Sequence, residues 1–203
     1  MRDGGQTIVL SLALSDTEVR LHDVGPGTIV SALTIAGMRA VVRVSDATTV
    51  GELALLDLAT AETVRFTNHW GEALPGVEFL PAQPVRFEIS DGTIVHGWLL
   101  RAPETEGSAP TLLDIHGGPH NAWTGAADTA HLYHQMLAAR GWNIVMLNPR
   151  ASDGYGEAFY TAALGHGARP TNSISSSRST SSRQTALSTR TGWLSRATAM
   201  ADS

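Results

Sequence analysis

Residues 110–120 read Pro110-Thr111-Leu112-Leu113-Asp114-Ile115-His116-Gly117-Gly118-Pro119-His120, and they set the architecture of the chain. The apolar run 110–115 stops at a Gly-Gly pair, the habit of a buried parallel strand. Residues 128–140 (D-T-A-H-L-Y-H-Q-M-L-A-A-R) then carry helical spacing, with Leu132, Met136 and Leu137 on one face. Asp128 is placed to cap the helix N-terminus, and Gly141 to supply the left-handed residue after its C-terminus. Residues 142–147 (W-N-I-V-M-L) read as the next strand. Strand, helix and strand over about 38 residues make a βαβ unit, for which a right-handed crossover is the rule.

Working upstream, residues 85–89 and 93–100 flank Ser90-Asp91-Gly92, a hairpin turn signal. Residues 75–84 (P-G-V-E-F-L-P-A-Q-P) carry prolines that ladders and helix interiors reject, so they mark a boundary. Everything before it reads as β-structure. Residues 7–14 are an apolar run, 18–24 alternate, and Arg39–Ser45 (R-A-V-V-R-V-S) is a strand. Residues 52–58 and 62–67 flank Ala59-Thr60-Ala61, a hairpin turn. The pattern Glu18-x-x-Leu21-x-Asp23-Val24 recurs 34 residues later as Glu52-x-x-Leu55-x-Asp57-Leu58. That offset is a little under the period of about 40–50 residues of propeller blades. An unrelated pair of amphipathic strands explains it equally well.

The 203 residues suffice for one ordinary domain or two small ones. Hydrophobic residues make up 42% and mean hydropathy is −0.03, consistent with a cored, water-soluble chain. No apolar run approaches the ~20 residues that span a bilayer, so no membrane association is expected. The first residues lack the basic-then-apolar order of a secretory signal. Cysteine is absent, which excludes disulfides, thiolate metal sites and thiol catalysis and makes a cytoplasmic location the default. Charge is uneven: residues 1–166 carry 18 acids and 9 arginines (net −9), whereas residues 167–203 carry one acid and five arginines (net +4). Sixteen of the last 37 residues are Ser or Thr, no periodicity survives there, and the segment reads as a disordered basic tail.

Two segments carry the chemistry. His116-Gly117-Gly118-Pro119-His120 follows a buried strand, where a backbone N–H can stabilise the oxyanion of an acyl transfer; a plain strand-to-helix turn fits the pentapeptide equally well. Asn148-Pro149-Arg150-Ala151-Ser152-Asp153-Gly154-Tyr155-Gly156, with Phe159, follows the second strand of the βαβ unit. Together with Ser90-Asp91-Gly92-Thr93 and Gly97-Trp98-Leu99, in this order and spacing, they resemble the prolyl oligopeptidase family of serine peptidases. The likeness is to the acylaminoacyl-peptidase and dipeptidyl-aminopeptidase branch. One departure is Ala151, where the family has Gly.

The resemblance implies the end of a β-propeller over residues 1–75, the N-terminal part of an α/β-hydrolase domain over 76–166, and an out-of-frame, disordered tail over 167–203. It implies an oxyanion-hole loop at Gly117 and Gly118, with Gly118 as the N–H donor. His116, Pro119, Asn148, Arg150, Ser152, Gly154, Tyr155 and Gly156 are the remaining family-motif positions. The substrate implied is a peptide or acyl-peptide, with no cofactor, no metal and no nucleic-acid partner.

The family's nucleophile lies in G-x-S-x-G, followed by Asp and His. No G-x-S-x-G occurs here, and Ser152 lacks the flanking glycines of an elbow. The expected outcome is a chain without the triad and without activity. His116/His120 and His131/His134 have spacings that occur in zinc sites, but no carboxylate motif accompanies them, so they read as loop and packing residues. The likeness ends near His166. Read one base out of register, with the free codon positions chosen to suit, residues 192–203 can give L-A-V-T-G-Y-S-Y-G-G-F, a strand followed by a nucleophile elbow. Residues 167–191 can give an acidic, amphipathic stretch. A frameshift would account at once for the charge split, the Ser/Arg richness and the lost periodicity. Two other readings stand beside it: a non-catalytic binding protein with a basic Ser/Arg-rich tail, and an esterase-type hydrolase with an unrecognised nucleophile.

Overall fold

The computed structural model describes residues 1–13, 17–22, 24, 25, 27–103 and 109–164. The expectations for residues 167–203, and for Asp23 in the repeat pattern, lie outside the described residues. The described residues divide into two compact units, Met1–Pro81 with Thr124–Leu132, and Ala82–Trp123 with 133–164.

The first unit is antiparallel β-structure. Strands β1 (Arg2–Asp3) and β2 (Gln6–Thr7) pair with each other, as do β3 (Val9–Leu12) and β4 (Val19–His22). Strands β5 (Ile29–Ala36), β6 (Arg39–Ser45), β7 (Glu52–Asp57) and β8 (Thr63–Arg65) form a four-stranded meander. Strict alternation dictates its sidedness: Ala40, Val42, Val44, Ala54 and Leu56 turn to one face and are buried together with Leu58, while Arg39 and Arg43 turn outward. The 59–61 turn closes β7 on β8. The Asp57 carboxylate accepts the N–H groups of Ala59 (2.8 Å) and Thr60 (3.2 Å), and Ala61 takes the left-handed conformation at φ 62°.

Glu52 is the unexpected member of this core. It lies opposite Val44 and is only 1% exposed. Burial pushes its pKa up, but hydrogen bonds from the Thr67 hydroxyl and from the Trp70 and His69 amides outweigh that and hold it below 4.5. The carboxylate ties β7 to the short helix α1 (His69–Ala73).

The second unit is a four-stranded mixed sheet in the order β11-β12-β10-β9. Strands β9 (Ala82–Glu88) and β10 (Ile94–Leu100) form the expected hairpin, in which Gly92 turns at φ 80° and donates its N–H to Ile89 C=O (2.9 Å). Strand β11 (Thr111–Ile115) runs parallel to β12 (Asn143–Asn148), and β12 runs antiparallel to β10. The core joins Val85, Phe87, Ile89, Val95, Leu99, Val145 and Leu147. Gly97 is required by close approach: a Cβ there would stand 2.5 Å from the Met146 carbonyl oxygen of β12.

Two sequence expectations are corrected here. Pro84 does not end a boundary segment but sits inside β9, opposite Trp98; β9 pairs only with β10 among the described strands, so its missing N–H breaks no ladder. The helix α2 is Tyr133–Ala138, not 128–140, and it buries His134 and Ala138 while Met136 is 54% exposed. Asp128 caps no helix. Its carboxylate accepts Ala130 N–H (2.8 Å) in a local turn, and Ala127 N–H bonds to Asp46 C=O (2.7 Å), which draws this segment out of the helix. Gly141, at φ 88°, closes the helix as expected, with its N–H on Ala138 C=O (3.0 Å).

Candidate active-site loop

Because β11 and β12 are parallel neighbours, the segments after them leave the sheet at the same end, where α/β folds build their sites. These segments are the two motif stretches, and hydrogen bonds fasten them to each other. His116 Nε2 lies 2.9 Å from Ser152 Oγ. His120 Nδ1–H donates to Ala151 C=O (3.1 Å), and its ring stacks on Tyr160 at 3.9 Å. Asp153 N–H donates to Asn121 C=O (3.2 Å).

Between those fastenings the apex is open. Gly117 and Gly118 are exposed, and among the described residues neither backbone N–H meets a hydrogen-bond acceptor. Among the described residues, a Cβ on either would meet nothing within 4 Å. Gly118 adopts φ 66°, the left-handed region that costs an L-residue roughly 1–2 kcal/mol. Glycine at 118 is thus set by the backbone.

The Ser152–His116 pair has the chemical look of a nucleophile and its base, but its geometry is that of a brace. Ser152 is fully buried, and its hydroxyl donates to Pro149 C=O at 2.6 Å. A hydroxyl has one hydrogen, so Ser152 Oγ accepts from His116 Nε2–H, and the proton that a base would need to remove is directed into the protein. Burial holds the His116 pKa below 6.5, partly offset by the Gly117 and Gly118 carbonyls and the Asp114 carboxylate, so the ring is neutral at pH 7.

The rest of the second motif builds the support. Arg150 pairs with Asp91 of the β9–β10 turn. Hydrogen bonds from Thr93, then that pairing, lower the Asp91 carboxyl to about 2. Gly154 and Gly156 take φ 89° and 85°, Gly156 preceding the short helix α3 (Glu157–Tyr160). The Tyr155 ring stacks on His96 of β10 at 4.7 Å. Asn148 is fully buried beneath the loop. Pro119 is exposed beside Gly118.

No family model matches the chain. Over 88 residues, 41% of the chain, it is 40% identical to a Bacillus subtilis (strain 168) protein described as the uncharacterized peptidase YuxL, the match spanning 12% of that protein. Among solved structures, Pyrococcus horikoshii acylaminoacyl peptidase superposes with a TM-score of 0.71 at 25% identity, over 90% of this chain and 28% of that one. An acylaminoacyl peptidase in complex with Z-Gly-Gly-Phe-chloromethyl ketone gives 0.66 at 25% identity, over 86% and 27%. A puromycin hydrolase mutant complexed with PGG gives 0.69 over 92% and 29%; at 21% identity it speaks for the fold alone.

The chain resembles, as a partial fragment, peptidases of the prolyl oligopeptidase family. It spans less than a third of the length of these solved relatives. Its departure from the family pattern, Ala151, is a buried non-glycine residue at φ 79°, so the substitution places a strained residue in the supporting loop.

Three features of this site lay beyond sequence reasoning. The stacking of His120 on Tyr160 joins residues with no shared pattern. His134 is buried and reaches Asp114 at 2.7 Å, a bond that Tyr133 shares. Trp98 donates its indole N–H to Trp123 C=O (3.1 Å). Among the described residues no group of three or more His, Cys, Asp or Glu could hold a metal ion.

Proposed function

We propose that the chain is a piece of a serine peptidase and contributes one wall of its active site, the oxyanion loop. Gly118 N–H, with Gly117 beside it, would meet the oxyanion that forms when a peptide or acyl-peptide carbonyl is attacked on the way to an acyl-enzyme. The observation that carries this reading is the pair of exposed N–H groups on the loop after β11, unengaged among the described residues, on a loop braced from below. The mixed sheet order β11-β12-β10-β9 supports reading residues 76–166 as the first strands of an α/β-hydrolase domain. The meander, with Leu33 and Ile35 exposed on its outer strand, supports reading residues 1–75 as the end of a β-propeller whose remaining blades lie elsewhere.

No G-x-S-x-G elbow supplies a nucleophile in this sequence, and we read the chain as written as inactive. Residues 167–203 are read as the family sequence out of frame. A fluorophosphonate probe tests the first statement: the chain should remain unlabelled. Labelling that maps to Ser152 would favour the esterase reading, against which its buried hydroxyl now counts. Resequencing the gene across the codons of Leu164 to Ser203 tests the second. A missing or added base near His166 is expected, and a confirmed printed frame would end the frameshift reading.

A further inference from the structure

We propose that Asn148 is the positioning residue of the oxyanion loop, acting through Trp123. This rests on the reading of Gly117 and Gly118 given above. The loop that begins at His116 ends at Trp123, and Asn148 holds that end at two points. Trp123 N–H donates to Asn148 Oδ1 at 2.6 Å, and Asn148 Nδ2 donates to Trp123 C=O at 2.9 Å. Nδ2 also donates to the Tyr155 hydroxyl at 2.7 Å.

A carboxamide bonded to both the N–H and the C=O of one residue does what a neighbouring strand does. It fixes that residue's position and its rotation. Asn148 is the last residue of β12, and its own backbone pairs with His96, so the clamp is anchored in the sheet. Trp98, one strand over, places a second donor on the same Trp123 carbonyl.

The chemistry is specific to asparagine. Aspartate has acceptors only and would set a carboxylate against the Trp123 carbonyl. Leucine, of like shape, offers nothing. Glutamine carries an extra methylene into a site where Asn148 is fully buried. With the His116 end bound to β11 and braced on Ser152, and the Trp123 end clamped by Asn148, the open apex at Gly117 and Gly118 is held without using either of its own N–H groups. Those donors therefore stay free while the loop stays ordered, which preorganised oxyanion stabilisation demands.

The test is backbone ¹⁵N relaxation of the full chain, with amide exchange of β10 and β12 as the control. In the unaltered chain, Gly117 and Gly118 are expected to be as rigid as the strands, with order parameters of about 0.85. In Asn148→Ala and Asn148→Asp they should fall below about 0.6, while exchange protection in β10 and β12 is kept. Trp98→Phe, which removes the shared donor while keeping both Asn148 bonds, should lower the same residues by less. If Asn148→Ala does not fold, Tyr155→Phe reads the same joint with both bonds to Trp123 kept, and its expected fall is confined to the loop. Order parameters unchanged in the folded variants would overturn the proposal, as would loss of strand protection in step with loop order in every variant. Neither readout needs catalysis, so a failure here leaves the oxyanion reading standing. Conversely, unexpected labelling by the fluorophosphonate probe leaves the clamp untouched.

Discussion

The two four-stranded sheets are built to different rules. In the meander, burial alternates along each strand: β7 reads Glu52, Ala54 and Leu56 inward with Leu53, Leu55 and Asp57 half-buried on the other face. In the mixed sheet, every residue of β12 from Asn143 to Asn148 is buried, so both faces are covered. The difference is what pairing predicts. Antiparallel meanders can leave one face to water, whereas a strand with a parallel neighbour and a helix above it has no wet face. The two-sided strand is also the one whose last residue, Asn148, reaches the candidate site. A rigid, fully packed strand can hold a loop in place where a half-wet one cannot.

The largest expected effects test that contrast directly. Leu56→Ala should cost about 2–5 kcal/mol in urea-unfolding experiments, and Leu55→Ala, on the half-buried face, less than about 1 kcal/mol. In β12 the parity should not matter: Ile144→Ala and Val145→Ala should each cost about 2–4 kcal/mol, since both are at most 1% exposed. A gap between the two β12 variants as wide as that between the two β7 variants would break the comparison.

That contrast was partly visible in the sequence. Alternation in Arg39–Ser45 and the apolar run Ile144–Leu147 within the expected strand 142–147 are period signals; β6 stands where it was expected and β12 one residue later. The strand Ile29–Ala36 was missed, because its run of Ile29, Val30, Leu33 and Ile35 is interrupted by Ser31 and Thr34 and bulges between Ala32 and Thr34. The extended helix failed for another reason: Asp128 makes a local turn bond that competes with capping, and no helix periodicity reveals such a competitor. At the candidate site, glycines and the motif order were legible because backbone geometry demands particular residue types. The bonds of His116 to Ser152 and of Asn148 to Trp123 were not, since they join residues 36 and 25 positions apart through a sheet register that the sequence does not state.

A smaller effect sharpens the comparison at the loop. Ala151 is the one non-glycine residue among those described in the second unit at positive φ, and it sits where the family has glycine. Ala151→Gly relieves a left-handed conformation that costs an L-residue roughly 1–2 kcal/mol, less about 0.4–1 kcal/mol for the added freedom of the unfolded chain. The expected net result is a gain of up to about 1.6 kcal/mol in chemical denaturation. A loss would mean that the buried Ala151 methyl contributes more to packing than the strain costs.

The smallest effect is a pH dependence confined to the second unit. Burial lowers the His96 pKa below 6.5, with the nearby Arg86 charge adding to it, and burial lowers that of His116 as well. A histidine whose folded pKa is depressed binds its proton more readily in the unfolded chain. Its contribution is therefore full above pH 6.5 and is lost as pH falls through the folded value. Both rings are about half-buried, so solvent weakens the effect, and a shallow decline in stability below pH 6.5 is expected. His96→Gln should flatten part of that slope; loss of the ring's stacking on Tyr155 shifts stability equally at every pH, so the slope is the readout. Were the slope the same with and without His96, the titrating group would have to lie elsewhere, and the stacking of His96 on Tyr155 would be indifferent to charge.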